Sequence, residues 1–300
     1  MGAFMAGLAA FPLLAGQKAP SRPRTTFVEL DAVVVDSNDR PVRGLQREDF
    51  QIKEDGRAVA VTSFTEVSAS GISGRTDSRS VVLILDDTGI GPSGTIVVQN
   101  IARLFLSRAR PADAVAVVRL THRDDEAVAP LRIAHDRIDD YRAGSLPYFG
   151  LETIENSLRT LTRVSRQLEP VEHQRKAVVC IGSRSLCDLY LEAPENSLVW
   201  RDWRDALSAT ARANVSLYVV DPAGLSGRLD LGQGLVEHTG GADFVRSNNF
   251  ERAVDRIWEE AGHYYLLGYA PTARPRDLHS IDVRLKRRGL HVRARLNRGD

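Results

Sequence analysis

The chain has almost no net charge and very little cysteine. Its 300 residues carry a formal net charge of +1 at pH 7, so no overall field favours nucleic acid or an anionic membrane as a partner. Neither of the two cysteines, Cys180 and Cys187, has zinc-ligand spacing around it. Because Cys180 lies within the apolar run 177–181, we expect it to be a buried thiol; a disulfide with Cys187 is the alternative if the protein is exported.

The usual enzyme signatures are also missing. There is no G-x-S-x-G elbow, no H-E-x-x-H motif and no Walker loop, and the seven histidines form no local pair. One G-x-G-x-x-G match, Gly89–Gly94, stands between a strand and a helix, as in dinucleotide-binding folds. However, the carboxylates of Asp86 and Asp87 would repel a pyrophosphate, and no acidic residue ends the second strand. We therefore predict a non-enzyme; a nucleotide-binding enzyme is the alternative.

The first 16 residues are uncharged and apolar but too short to span a bilayer. They are typical of the apolar region of a signal peptide, with small residues at Ala15 and Gly16 for cleavage, although a basic segment before them is missing. Residues 17–26 are polar with two prolines and indicate a linker. We expect an exported protein, periplasmic or extracellular, with no other stretch long enough to cross a membrane. A buried or disordered N-terminus, or an uncleaved membrane tether, are the alternatives.

What the chain does contain is ample material for a core, with 43% hydrophobic residues. Residues 27–67 alternate between apolar and polar side chains and include a hairpin turn at Asp55-Gly56. Between residues 80 and 262, continuous apolar runs alternate with amphipathic helical patterns. Residues 263–298 return to the alternating pattern. This order predicts an α/β domain between two stretches of β-structure.

The predicted α/β domain is Rossmann-like, with a mainly parallel sheet of six strands flanked by helices. A segment at 127–133 is included as a short edge strand. Neither β-rich end has enough residues for a good core of its own. We therefore expect residues 27–67 and 263–298 to pack together as one small β-sandwich.

Ligands of open α/β sheets bind outside the carboxyl ends of the strands, where the strand order reverses. Two strands that end at Leu85 and Ile181 are the natural neighbours at such a point. Asp86 and Thr88 are two residues apart on a loop, so both can face a hard divalent cation. The candidates for the binding face at this edge are Asp87, Gly89, Ile90, Gly182, Ser183 and Arg184.

Several segments, weak individually but specific in their joint order, resemble the von Willebrand factor type A (VWA) family, and more narrowly the VWFA-related domain proteins of acidobacteria. The resemblance covers residues 27–298. The segments that carry it are Val42–Phe50, Glu54–Gly56, Leu83–Thr88, Asn214–Gly224, Thr239–Gly241 and Tyr264–Tyr269, followed by basic C-terminal strands. It implies a sheet of order 3-2-1-4-5-6 with an antiparallel third strand.

The resemblance also implies a metal-ion-dependent adhesion site, built from a D-x-S-x-S loop with a later Thr and a later Asp. Asp86 and Thr88 match the first and third loop positions, whereas Ile90 stands where a hydroxyl is expected. Thr153 is the best candidate for the later Thr, and Gly182 and Ser183 stand where the later Asp is expected.

Mg²⁺ tolerates the loss of ligands poorly, so we predict a degenerate site with no cofactor, or with weakly bound Mg²⁺, Mn²⁺ or Ca²⁺. The predicted function is protein binding or adhesion, with a structural role in the cell envelope as the alternative. The sequence names neither the partner nor the oligomeric state.

Overall fold

The structure is a computed structural model that describes residues 27–68, 78–144, 151–171, 175–182, 197–226, 234–271 and 278–298. The signal-like segment 1–26 and three predicted residues, Ser183, Arg184 and Cys187, lie outside these ranges. Within them, no helix combines the length and apolar character needed to cross a bilayer.

A five-stranded, wholly parallel sheet forms the centre of the α/β part. Its strands are β5 (Ser80–Leu85), β6 (Ala114–Arg119), β7 (Lys176–Ile181), β8 (Val215–Val220) and β9 (Ala242–Phe244), in the order β6-β5-β7-β8-β9. The three central strands are buried along their whole length, which is why they are continuous apolar runs. Cys180 is a free, buried thiol in β7, as the apolar run predicts.

Helices cover both faces of this sheet. They are α1 (Thr95–Arg108), α2 (Leu131–Asp139), α3 (Leu151–Leu168), α4 (Leu198–Ala213), α5 (Leu235–His238) and α6 (Phe250–Gly262). One apolar cluster joins the sheet to α3 and α4, and a second joins the opposite face to α1, α2 and α6. The prediction of a Rossmann-like, mainly parallel sheet flanked by helices is therefore confirmed.

The prediction of a sixth strand at 127–133 is wrong, because no strand forms there and α2 begins at Leu131. Ala127 donates its amide to the side chain of Gln167 at 2.7 Å, and Pro130, which has no N–H, immediately precedes α2. The outer edge of β6 is closed by side chains instead. Arg137 donates to the carbonyl of Val117 at 2.7 Å, and the Asp125 carboxylate accepts the amide of Arg119 at 2.9 Å. The five strands follow the order that the resemblance implies, without its antiparallel third strand.

Two antiparallel four-stranded sheets combine both ends of the chain. Their N-terminal strands are β1 (Val28–Val35), β2 (Phe50–Glu54), β3 (Arg57–Val59) and β4 (Ser63–Ser68), and their C-terminal strands are β10 (His263–Tyr269), β11 (His279–Leu285), β12 (His291–Ala294) and β13 (Asn297–Arg298). The orders are β12-β1-β10-β4 and β13-β11-β2-β3. A single core, with Leu30 and Tyr265 from one sheet and Ile52 and Ile281 from the other, packs the sheets face to face.

The predicted hairpin turn lies between β2 and β3. Asp55 and Gly56 have φ angles of 48° and 77°, the positive values that a type I′ turn requires at both central positions.

Charged side chains join the antiparallel sheets to the α/β part. Arg175, which is 2% exposed, lies 3.8 Å from the Asp31 carboxylate of β1. Arg293 of β12 contacts the carboxylate of Glu260 in α6 and donates to the carbonyl of Gly241 at 3.0 Å. Arg293, the arginine of this C-terminal strand, therefore links the two parts.

Candidate functional site

Three residues lie in one row at the carboxyl ends of the parallel strands. Asp86 and Gly182 are predicted site residues, and Asp221 is not. The amide of Asp86 donates to the carbonyl of Ile181, the amide of Gly182 donates to that of Val220, and the amide of Asp221 donates to that of Phe244, each at 3.1 Å. Asp86, Gly182 and Asp221 therefore follow β5, β7 and β8 at the same level. We call this row and the loops beside it the carboxyl edge.

Asp86 is fully buried, and its two carboxylate oxygens have different surroundings. Oδ1 accepts the amides of Thr88 at 3.0 Å and Gly89 at 2.7 Å, and the hydroxyl of Thr88 at 3.1 Å. Oδ2 is buried and has no hydrogen-bond partner among the described residues. The carboxylate thus fixes the turn 86–89 with one oxygen and leaves the other unsatisfied, a state that costs free energy in a buried group.

Burial raises the pKa of Asp86 above its ordinary value, against the opposing effect of the amides of Gly89 and Thr88. The neighbouring Tyr141, also fully buried, donates its hydroxyl to the main-chain carbonyl of Asp86. No arginine or lysine of the described chain forms an ion pair with Asp86. Its negative charge is consequently uncompensated within the described protein.

Asp87 has a different environment, facing the end of β6. Its carboxylate accepts the amide of Thr121 at 3.1 Å and the hydroxyl of the same residue. Nδ1 of His122 lies 3.3 Å from Oδ2 of Asp87 and 3.2 Å from the hydroxyl of Thr121. Because both contacts use the same ring nitrogen, these three residues cannot form a hydroxyl–imidazole–carboxylate relay, which needs one partner on each nitrogen.

The glycine-rich loop is already engaged with its own residues. The amide of Gly89 is held by Asp86, and that of Gly94 donates to the carbonyl of Gly91 at 2.8 Å. Ile90 packs partly against the core beside α1, and its side chain occupies the space that a Cβ on Gly94 would need, at 2.4 Å. These two amides are therefore not presented to a phosphate group.

The other predicted ligands do not complete a metal site. Thr153 is buried in the first turn of α3, Ile90 has no ligating atom, and Gly182 has no side chain. Thr88 directs its hydroxyl to Asp86. Within the described ranges, no three His, Cys, Asp or Glu residues are grouped as metal ligands. Mg²⁺ requires about six oxygens in octahedral arrangement, so the described residues do not fit a tightly held ion.

No family model and no curated protein matches the chain. Among solved structures, it is similar to the human COPII-coat protein Sec24c, with a TM-score of 0.39 and 8% sequence identity over 88% of this chain. The chain spans about half, 47%, of the length of that protein. This similarity is too low to support a shared family or function.

Asp221 is the residue of the carboxyl edge that the sequence analysis missed. It is 4% exposed, its Oδ1 accepts the amide of Ala223 at 2.8 Å, and burial raises its pKa. Like Asp86, it has no ion pair with a described residue. The signal that could have found it is its position, directly after the apolar run 215–220, which matches that of Asp86 after 80–85.

Proposed function

We propose that this chain is a non-enzymatic, protein-binding module of the VWA type, with the carboxyl edge as its docking surface. The observation that carries the proposal is the arrangement around β5. At this edge, the Asp86 carboxylate accepts the amides of Thr88 and Gly89 and so fixes the turn 86–89. Exposed side chains follow the neighbouring segments, with Ile96 at the start of α1 and Thr121 and His122 after β6. Docking residues on loops that are positioned by a rigid sheet are a common arrangement for binding.

The contacts of the predicted residues support metal-independent docking. Oδ1 of Asp86 already has three donors, so Oδ2 of Asp86 and the lone pairs of the Thr88 hydroxyl are what these two residues can offer a cation, far fewer than the about six oxygens that Mg²⁺ requires. The exposed side chains at this edge are mixed, with the apolar Ile96 at the start of α1 and the polar Thr121 and His122 after β6. Interfaces of this kind bury an apolar centre within a polar rim.

Site-specific photo-crosslinking tests this proposal. A photoreactive amino acid at Ile96, which is 62% exposed, should capture a defined protein from the source cells. The same amino acid at Arg212, exposed near the C-terminal end of α4 at the opposite edge of the sheet, serves as the matched control. Capture from both positions alike, or from Arg212 alone, would contradict docking at the carboxyl edge.

A divalent cation at Asp86 is the second candidate, because Oδ2 of this residue lacks a partner among the described residues. Calorimetric titration with Mn²⁺ or Mg²⁺, on the wild type and on Asp86→Ala, separates the two versions. Micromolar binding that is lost in Asp86→Ala would replace metal-independent docking by metal-dependent docking.

Two other functions have direct tests. An enzyme that binds nucleotide through Gly89–Gly94 should gain thermal stability with NAD or ATP, since a ligand that binds only the folded state stabilises it. An envelope scaffold should self-associate in sedimentation at micromolar concentration. Localisation of the full-length protein by fractionation tests the proposed export.

A further inference from the structure

A groove of about 430 Å³ lies between α3 and α4, away from the residues of the carboxyl edge. Arg159, Arg163 and Arg166 line it from α3, and Asp202 and Asp205 line it from α4. The arginines are four and three residues apart, so they project from one face of the helix. Three guanidinium groups face these two carboxylates, and Glu155 adds a third carboxylate next to Arg159.

The charges in the groove are unequally compensated. Arg159 is neutralised, because its Nε donates to Asp202 at 2.8 Å and its Nη2 donates to Glu155 at 3.0 Å. Arg166, by contrast, is exposed and forms no ion pair with any residue that the structure describes. Asp205, across the groove, likewise forms none.

Arg163 provides a second cation with incomplete compensation. Its Nη1 donates to the main-chain carbonyl of Asp125, and its Nη2 is buried without a hydrogen-bond partner among the described residues. The carboxylate of Asp125 is already shared by Arg119, at 2.9 Å, and Arg137, at 3.0 Å. Burial of this guanidinium lowers its pKa, which is the effect expected of a cation without a full counter-charge.

Next to these cations, Gln167 offers a neutral donor. Its side-chain oxygen accepts the amide of Ala127 at 2.7 Å, which orients the amide so that its nitrogen remains for another acceptor. Arginine recognises planar oxyanions through paired N–H groups. The groove therefore has donors and positive charge on the α3 side and a single free carboxylate, Asp205, on the α4 side.

We propose that this groove binds a singly charged carboxylate, with Arg166 as the main hydrogen-bond donor, Arg163 as a second positive charge and Gln167 as a neutral donor. Arg166 has no ion-pair partner among the described residues, so a single carboxylate would supply its missing counter-charge. The carboxylate belongs either to a small organic acid or to an acidic side chain of a peptide segment. The site is independent of docking at the carboxyl edge.

NMR titration of the ¹⁵N-labelled full chain tests the proposal with two capped residues. N-acetyl-glutamate α-amide should give saturable shifts at α3 and α4. The neutral N-acetyl-glutamine α-amide, which has the same shape without the charge, should give none. Equal effects of the glutamate and glutamine probes, or no saturation by the glutamate probe, would overturn the site.

Variants locate the binding. Arg166→Gln changes an exposed position and should not affect folding. It is expected to lower the affinity for the glutamate probe about tenfold, equivalent to about 1.4 kcal/mol. Asp205→Asn should tighten it, because the opposing charge is removed. Arg212→Gln, on α4 but bonded to Ser208 outside the groove, should leave binding unchanged. Unaltered binding by Arg166→Gln would place the carboxylate elsewhere.

A capped acidic peptide of about nine residues distinguishes the two sources. Affinity at least tenfold above that of the single residue identifies a peptide segment as the ligand, and equal affinity identifies a small organic acid. Either result keeps the carboxylate site, provided that Arg166→Gln weakens it.

Discussion

Two regions of the molecule contain buried carboxylates, and they differ in whether a positively charged side chain compensates them. At the junction between the antiparallel sheets and the α/β part, Asp31 lies beside Arg175, and Glu260 is bound by Arg256 and Arg293. At the carboxyl edge, Asp86 and Asp221 are equally buried but have no arginine or lysine partner among the described residues.

Elsewhere in the described chain, buried carboxylates are paired with arginine, as they are at the junction. Glu54 is paired with Arg298, Asp125 with Arg119 and Asp202 with Arg159. A buried charge is costly unless it is paired or coordinated, so pairing is the rule for carboxylates that serve the structure. The two exceptions both lie at the edge where α/β sheets bind ligands, and unusual electrostatics of this kind favours a binding role.

The largest effect is expected from breaking a pair at the junction. Glu260→Gln removes a fully buried charge that compensates Arg256 and Arg293, and it should lower the free energy of unfolding by about 3–5 kcal/mol. Urea denaturation at pH 7 measures this loss. The adjacent Glu259→Gln is the matched control, because its contact with Arg43 is at 3.8 Å and both side chains are largely exposed; it should cost less than about 1 kcal/mol. Equal losses would remove the contrast between paired buried charges and surface charges.

A smaller effect, with a defined pH dependence, is expected at Asp113. Burial alone would raise the pKa of this carboxyl, but hydrogen bonds from Arg79 and Arg110 outweigh it and hold the pKa well below its ordinary value. The stabilisation is therefore present at neutral pH and is lost as the pH falls below about 4, the ordinary pKa of Asp. Asp113→Asn should lose about 2–3 kcal/mol at pH 7. In urea titrations at pH 7 and pH 3, the difference from wild type should shrink at the lower pH; a constant difference would contradict the ion pair.

The same contrast explains what could be predicted from the sequence. The apolar runs at 80–85 and 215–220 determine strands and their carboxyl ends, because burial of a parallel strand leaves a continuous signal. The edge strand at 127–133 could not be judged in this way, because its outcome depends on a side chain remote in sequence: Gln167 of α3 accepts the amide of Ala127.

Site residues are harder to predict from the sequence than strands, because their environment also depends on side chains from other parts of the chain. Asp86 and Asp221 look like any loop aspartate, and so do the paired Asp113 and Asp125. Their difference lies only in whether an arginine from another element reaches them. Asp86 could be picked out because it follows a strand at the carboxyl edge and has Thr88 two residues later as a second possible ligand. Asp221 follows its strand in the same way but has no second ligating side chain at that spacing.

The smallest effect, of opposite sign, is expected at the carboxyl edge. Since burial raises the pKa of Asp86, the folded protein binds this proton more tightly than the unfolded chain does. Stability is therefore lost as the pH rises from the ordinary pKa through the raised one. Asp86→Asn keeps an acceptor for Thr88 and Gly89 and removes the charge, so at pH 8 it should be as stable as wild type, within about 1 kcal/mol, or more stable. Urea denaturation from pH 4 to pH 8 should show a flatter dependence of stability on pH for the variant than for the wild type.

Asp221→Asn is the parallel test, because burial raises the pKa of Asp221 as well. A loss above about 3 kcal/mol at pH 8 would mean that a cation compensates Asp86 in solution, and disappearance of that loss in EDTA would identify the cation as a metal ion.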